Sequence, residues 1–175
     1  MNTLFAANWK MHKTRAEANQ SARELVRLAS ALPAGREVLI FPPFTAIEAA
    51  VQGLSGAAGF HVGAQDLYPA AQGAYTWEIS PAMLLDAGAQ WVLTGHSERR
   101  HVLGEDDAFV GRKTAFGLEQ GLGVILCVGE TIEERKAGRL VEVLTRQLEK
   151  GLADVSKKTA PVRLCVAYEP VWAIG

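Results

Sequence analysis

Residues 121–136 read GLGVILCVGETIEERK. Gly123 to Val128 is an unbroken apolar run of strand length, the polar pair Gly129 and Glu130 follows it, and Thr131 with Glu134 then has the spacing of a capping box that opens a helix. A strand without polar alternation is buried on both faces, and a helix directly after it covers one of them. The stretch therefore predicts one β/α unit of a parallel sheet.

Working outward, Leu4–Asn8, Glu37–Phe41, Gly59–Ala64, Trp91–Thr94 and Val162–Ala167 are five more runs of strand type. Helical patterns lie between them. After Thr14, the residues Ala18, Ala22, Leu25, Val26, Ala29 and Leu32 recur at helical spacing until Pro33 and Gly35. Thr45 with Glu48 has the capping-box spacing ahead of Ile47, Ala50, Val51 and Leu54. Ser80 followed by Pro81 opens another helix, which Gly88 closes. Asp106 to Gln120 is helical despite Gly111 and Gly117. Leu140, Val141, Leu144, Leu148, Leu152 and Val155 mark a longer helix whose stripe should face the sheet.

Repeated strand–helix units require right-handed crossovers, which leaves an open doubly wound sheet or a closed barrel, and periodicity does not separate the two. A (β/α)8 barrel of ~250 residues spends ~31 residues on each unit, so a chain of this length holds five to six. No linker or low-complexity tract divides residues 1–175, which read as one domain.

The chain has 175 residues, with 18 Lys and Arg against 19 Asp and Glu, so its charge gives no reason to expect nucleic acid or a membrane surface as partner. No run approaches the ~18 apolar residues of a membrane span, and the opening Met1-Asn2-Thr3-Leu4 lacks a leader pattern. A cytoplasmic location is expected. Cys127 and Cys165, each inside an apolar run, read as two reduced, buried thiols. Gly53, Gly56 and Gly59 lack the dinucleotide-binding arrangement, and His96, Glu98 and His101 match no usual zinc spacing, so no metal is expected.

In parallel sheets of this kind function gathers at the carboxyl ends of the strands. Those positions hold Asn8, Trp9 and Lys10; Gln65 and Asp66; Gly95, His96, Ser97 and Glu98; Gly129 and Glu130; Tyr168, Glu169 and Pro170. A carboxylate in a dry site is a base, an imidazole donates to a substrate oxygen, and an ammonium stabilises the anion that forms. The set suits proton abstraction beside a carbonyl. Glu169, between Tyr168 and Pro170 in an apolar stretch, needs a partner or a task. Arg99 and Arg100 read equally well as an ion-pair network or a solvated turn. A Schiff base at Lys10 and a non-catalytic folding module are the rival readings.

NWK at 8–10, GHSERRH at 95–101 and AYEPVWAIG at 167–175 resemble the triosephosphate isomerase family in order and spacing, as do GAQ at 63–65, SPAMLLDAGAQWVLTG at 80–95 and GLGVILCVGE at 121–130. The resemblance implies a (β/α)8 TIM barrel with about six β/α units in this chain. It also implies cofactor-free interconversion of dihydroxyacetone phosphate and glyceraldehyde 3-phosphate through an enediolate. By the same resemblance Glu169 is the base, His96 the electrophile and Lys10 the cation beside the substrate anion, with Asn8 and Gly175 also contacting substrate. Glu98, Ser97 and Cys127 support them, and Pro170, Val171 and Trp172 form the first hinge of a lid. Family members continue through this lid and two more strands, so residues 1–175 alone are expected to be inactive. The segment from Gln65 to Glu78, with Thr76 and Trp77 near its tip, resembles a loop that pairs two subunits into a homodimer. Trp77 stands where the family pattern has glycine, and Asp66 where asparagine is usual.

Overall fold

All six apolar runs contain strands in a computed structural model of the chain, which describes residues 3–29, 32–157 and 163–174. The strands are β1 (Thr3–Asn8), β2 (Arg36–Phe41), β3 (Phe60–Ala64), β4 (Trp91–Thr94), β5 (Gly123–Val128) and β6 (Leu164–Tyr168). β6 runs one residue beyond its expected end, while the expected start at Val162 lies outside the described residues. Every pair is parallel and the spatial order is the chain order. A doubly wound sheet reverses its order at a switch point, whereas this one never does, so the strands form six staves of a barrel wall. Among the described residues β1 pairs only with β2, and β6 only with β5.

The helices are α1 (Arg15–Leu28), α2 (Ile47–Leu54), α3 (Pro81–Asp86), α4 (Ser97–His101), α5 (Asp107–Glu119), α6 (Ile132–Lys136) and α7 (Leu140–Gly151). Thr131 and Glu134 make the expected reciprocal cap, and Thr14 with Glu17 makes another. The expected cap at Thr45 and Glu48 is not made. Phe44–Ala46 forms a 3-10 turn leading into α2, so Thr45 lies inside a helical turn rather than before one. Ser80 accepts from the Met83 amide as expected. Gly88, at φ +91°, closes α3 with bonds from its own amide to Leu85 and from Ala89 to Leu84.

Alternation along the strands divides the core into two layers. Leu39, Phe41, Trp91, Leu93, Ile125 and Cys127 pack inside the arc. Ile40, Val62, Ala64, Val92 and Val124 face outward and join Ala22, Ile47, Ala50, Leu54 and Leu84 of the covering helices. The α7 stripe meets the sheet as expected, with Leu144, Leu148 and Leu152 against Val110, Leu126 and Val128. Val141 instead points outward and Val155 falls beyond the helix. Gly111 does not weaken α5 but lets it approach α7, because a Cβ there would stand 2.3 Å from the Lys150 carbonyl oxygen. The expectation of two buried thiols holds for Cys127 only. Cys165 is half-buried because it sits on β6, the edge of the described arc.

Candidate active site

The carboxyl ends of β1, β3, β4 and β6 bring the sequence-selected polar residues to one rim. The main chain turns sharply after β1: Lys10 has φ +51°, a left-handed conformation that a side chain disfavours. Two amide side chains hold the turn in place. Asn8 Oδ1 accepts from the Lys10 amide at 2.8 Å, and Gln65 Nε2 donates to the Lys10 carbonyl at 2.7 Å and to that of Phe41 at 2.9 Å. The ammonium of Lys10 then lies 3.0 Å from Glu98 Oε1. Gln65 thus faces inward, onto the Lys10 and Phe41 carbonyls of its own chain.

After β4 the chain turns through Gly95, at φ +69°, where a Cβ would collide with the Arg100 guanidinium and Val110. Arg100 fills that space, donating to the Gly95 carbonyl at 2.6 Å and the Cys127 carbonyl at 3.2 Å, and pairs with Asp107. This seat presents His96 as the N-cap of α4, with Ser97 buried behind it. His96 is 5% exposed, and its Nδ1 accepts from the Glu98 amide at 3.3 Å. In a neutral ring that bond puts the proton on Nε2. Nε2 points toward Glu169, whose Oε2 lies 3.7 Å away.

Glu169 is held at the end of β6 by a 2.8 Å bond from its amide to the Val128 carbonyl. Its Oε2 is buried and has no hydrogen-bond partner within the protein. Burial, and then the adjacent Glu169 carboxylate, push the Cys127 thiol well above its usual range and keep it protonated. The carboxylate overlooks a cavity of about 260 Å³ inside the arc, lined also by Asn8, Phe41, Leu93, Ile125 and Cys165. A carboxylate oxygen without a protein donor thus faces an imidazole N–H at 3.7 Å at the edge of a partly apolar cavity, and the Lys10 ammonium, paired with Glu98, stands on the same rim.

Sequence reading missed the part played by Glu130. This residue is fully buried and accepts from Trp172 Nε1 at 3.0 Å and from the Tyr168 hydroxyl at 3.1 and 3.2 Å, with Arg135 3.6 Å away. Burial raises its pKa, but those donors outweigh the effect and leave the carboxyl below its usual value. The Val171 amide also donates to the Glu130 carbonyl at 3.0 Å, so Pro170–Trp172 is fastened to the end of β5. Gly175 lies outside the described residues.

Also missed was a buried cluster of Asp66, Arg99, Glu105 and Lys113. The available signal was Lys113 on the buried face of α5, three residues after Val110. Arg99 and Arg100 both prove to be ion-paired rather than solvated. The loop following Asp66 is pinned at its base by the Tyr68 amide on the Ile79 carbonyl at 2.9 Å, and Tyr68 and Tyr75 stack at 4.3 Å. Thr76 is exposed, and Glu78 is half-buried with its charge acting on Arg99. Trp77 is 88% exposed and adopts φ +87°, so the indole occupies the left-handed backbone that glycine prefers.

The sequence pattern of the triosephosphate isomerase family matches residues 3–175. The chain is 62% identical over 176 aligned residues to triosephosphate isomerase of Nitratidesulfovibrio vulgaris (strain Miyazaki F), covering all of this chain and 70% of that protein. Its identity to the enzyme of Lawsonia intracellularis is 47%, over all of this chain and 69% of that one. The crystal structure of triosephosphate isomerase from Bartonella henselae superposes with a TM-score of 0.88 at 38% identity, covering 99% of this chain and 70% of that one. The strand order, the polar rim and these likenesses agree: the chain belongs to the triosephosphate isomerase family.

Proposed function

We propose that this chain supplies the proton-transfer residues of an enzyme that interconverts dihydroxyacetone phosphate and D-glyceraldehyde 3-phosphate, by proton transfer at Glu169 and hydrogen bonding from His96. The Glu169 carboxylate removes the pro-enediolate proton from one carbon of the bound triose. His96 Nε2 gives its proton to the carbonyl oxygen as that oxygen gains charge and takes the substrate hydroxyl proton in exchange, and Glu169 returns the carbon-bound proton to the neighbouring carbon. Every proton taken from the substrate by Glu169 or His96 is returned to it, so the step calls for no cofactor or metal. Lys10 stabilises the substrate anion, Asn8 fixes the turn that presents it, and Glu98 positions the ammonium in the open site. Ser97 seats the His96 turn and Cys127 backs the carboxylate. Pro170, Val171 and Trp172 act as the lid hinge, with Gly175 reaching the substrate.

The observation that carries this reading is the 3.7 Å approach of His96 Nε2 and Glu169 Oε2 on one rim, the latter buried without a protein donor. It is tested by a coupled assay with dihydroxyacetone phosphate on the intact protein. Glu169→Gln should nearly abolish turnover, and an unaffected rate removes the assignment. Residues 1–175 as an isolated polypeptide, whose site lies open beside β6, should give no measurable turnover in the same assay.

A homodimer through residues 65–78 goes with this reading. Met11, Trp77 and Val102, 93%, 88% and 76% exposed, are large apolar side chains on loops of the same rim, and a second copy would cover them. Sedimentation of the intact protein at two subunit masses is the expected result. A cytoplasmic location is consistent with a charged phosphate ester as substrate; among the described residues no helix is long and apolar enough to cross a membrane.

A further inference from the structure

Behind His96 lies a charge cluster that the reaction as described does not use. Lys113 is fully buried, with its ammonium 2.8 and 2.7 Å from the two Asp66 oxygens and 2.5 Å from Glu105 Oε1. The Arg99 guanidinium stands 3.1 Å from Asp66 Oδ2 and donates from Nε to Glu105 Oε1 at 2.8 Å. Two acids and two bases balance, so the cluster is neutral while all four are ionised. Loss of the Asp66 charge would leave the buried Lys113 ammonium and the part-buried Arg99 guanidinium to share Glu105 alone.

The four residues come from different parts of the rim. Asp66 follows β3, Arg99 lies in α4, Glu105 lies between α4 and α5, and Lys113 belongs to α5. Arg99 is directly tied to His96, since its amide donates to the His96 carbonyl at 2.9 Å. Asp66 is also the neighbour of Gln65, whose amide grips the Lys10 turn. One dipeptide at the end of β3 therefore braces both the Lys10 loop and the His96 helix.

We propose that Asp66 is a positioning residue for the isomerisation: its ionised carboxylate, shared by Arg99 and Lys113, seats α4 so that His96 meets the substrate oxygen. The proposal rests on His96 acting as the electrophile. Lys113 and Arg99 face Asp66 as attracting charges, Glu105 faces it as a repelling one, and Glu78 acts on Arg99. Burial, opposed first by Lys113 and reinforced by Glu105, brings the Asp66 pKa up to about 6. Its charge is therefore removed by moderate acidification.

The test is Asp66→Asn in the intact protein, with dihydroxyacetone phosphate kinetics from about pH 8 to about pH 5. At the alkaline end the variant should lose about five-fold in kcat while KM stays within about two-fold, the pattern of a displaced group rather than lost affinity. The parent should show an extra acid-side fall in kcat with a midpoint of about 6 that the variant lacks, so the curves converge at low pH. Superimposable profiles overturn the proposal, and so does a loss equal at every pH, which would be structural damage. Should the variant not fold, the His96 ring resonances of the parent replace it: an inflection at the same midpoint supports the coupling, and its absence overturns it. Glu169→Gln is assayed alongside. Full turnover in that variant sinks the reading of the site, whereas its inactivity together with a parent-like Asp66→Asn profile sinks the role of Asp66 alone.

Discussion

His96 Nε2 and Glu169 Oε2 stand 3.7 Å apart although they leave the sheet from β4 and β6, with β5 between them. The gap is too wide for a hydrogen bond between the two groups. Both therefore remain available to a third molecule, and small changes at Glu169 should be felt in turnover before they are felt in stability.

Glu169→Gln keeps the shape of the side chain and removes the proton acceptor. Turnover of dihydroxyacetone phosphate should fall by about 10²–10⁴-fold, the usual contribution of a positioned base. Glu169→Asp keeps the charge and should retain more activity than the amide, although the shortened reach costs alignment. The thermal midpoints of both variants should remain close to that of the parent, as measured by circular dichroism.

The raised pKa of Asp66 fixes the sign of a stability effect. Between an unfolded value of about 3.9 and a folded value of about 6, the folded protein holds more protons than the unfolded one. This contribution to unfolding free energy is therefore complete below the unfolded value and declines as pH rises through that window. Urea titrations at several pH values should show the decline in the parent and not in Asp66→Asn. A difference between the two proteins that rises with pH would contradict the burial argument.

Gly111→Ala places a methyl group 2.3 Å from the Lys150 carbonyl oxygen, so α5 and α7 must separate. Overpacking of this kind costs about 1–3 kcal/mol, even though alanine is the better helix former. The urea midpoint should move to lower concentration, by that free energy divided by the urea dependence of unfolding. An unchanged or raised midpoint would show that the two helices can move apart at little cost.

Trp77→Gly separates backbone strain from subunit contact. Removing a side chain held at φ +87° should relieve about 1 kcal/mol of local strain. The same change deletes a fully presented indole from the proposed contact, so the dimer dissociation constant should rise while the separated subunit becomes no less stable. Analytical ultracentrifugation with parallel unfolding curves measures both quantities. A dimer of unaltered strength would show that the indole lies outside the contact.

Most of the scaffold was legible because its cues are local. Buried parallel strands announce themselves as apolar runs, and Thr131 with Glu134 or Ser80 with Pro81 mark helix starts within four residues of sequence. The cue at Thr45 failed for an equally local reason: a 3-10 turn used the preceding residues first, leaving Glu48 inside the helix. Barrel and doubly wound sheet could not be separated by periodicity, since the difference lies in which strands are neighbours.

The site divides in the same way. Asn8, Lys10, His96, Ser97 and Glu169 could be found because each lies at or within three residues of the end of a strand, and the strand ends gather them at one rim. The Asp66–Lys113 contact joins β3 to α5 across a wide separation in sequence, and only the packing of those elements makes it visible. Glu130 stood on the list of strand-end residues without a role. Its partners, Tyr168 and Trp172, belong to the next strand and the turn beyond it.

The two outer strands of the arc have a directional consequence. β1 and β6 run the same way, and each has one side unpaired among the described residues, with Phe5 and Val166 about half exposed beside them. If those sides meet solvent, β6 of one copy can dock only onto β1 of the next in the same orientation. Such head-to-tail joining lacks two-fold symmetry and continues into rings or fibres. Pairing or covering either free edge would stop such addition.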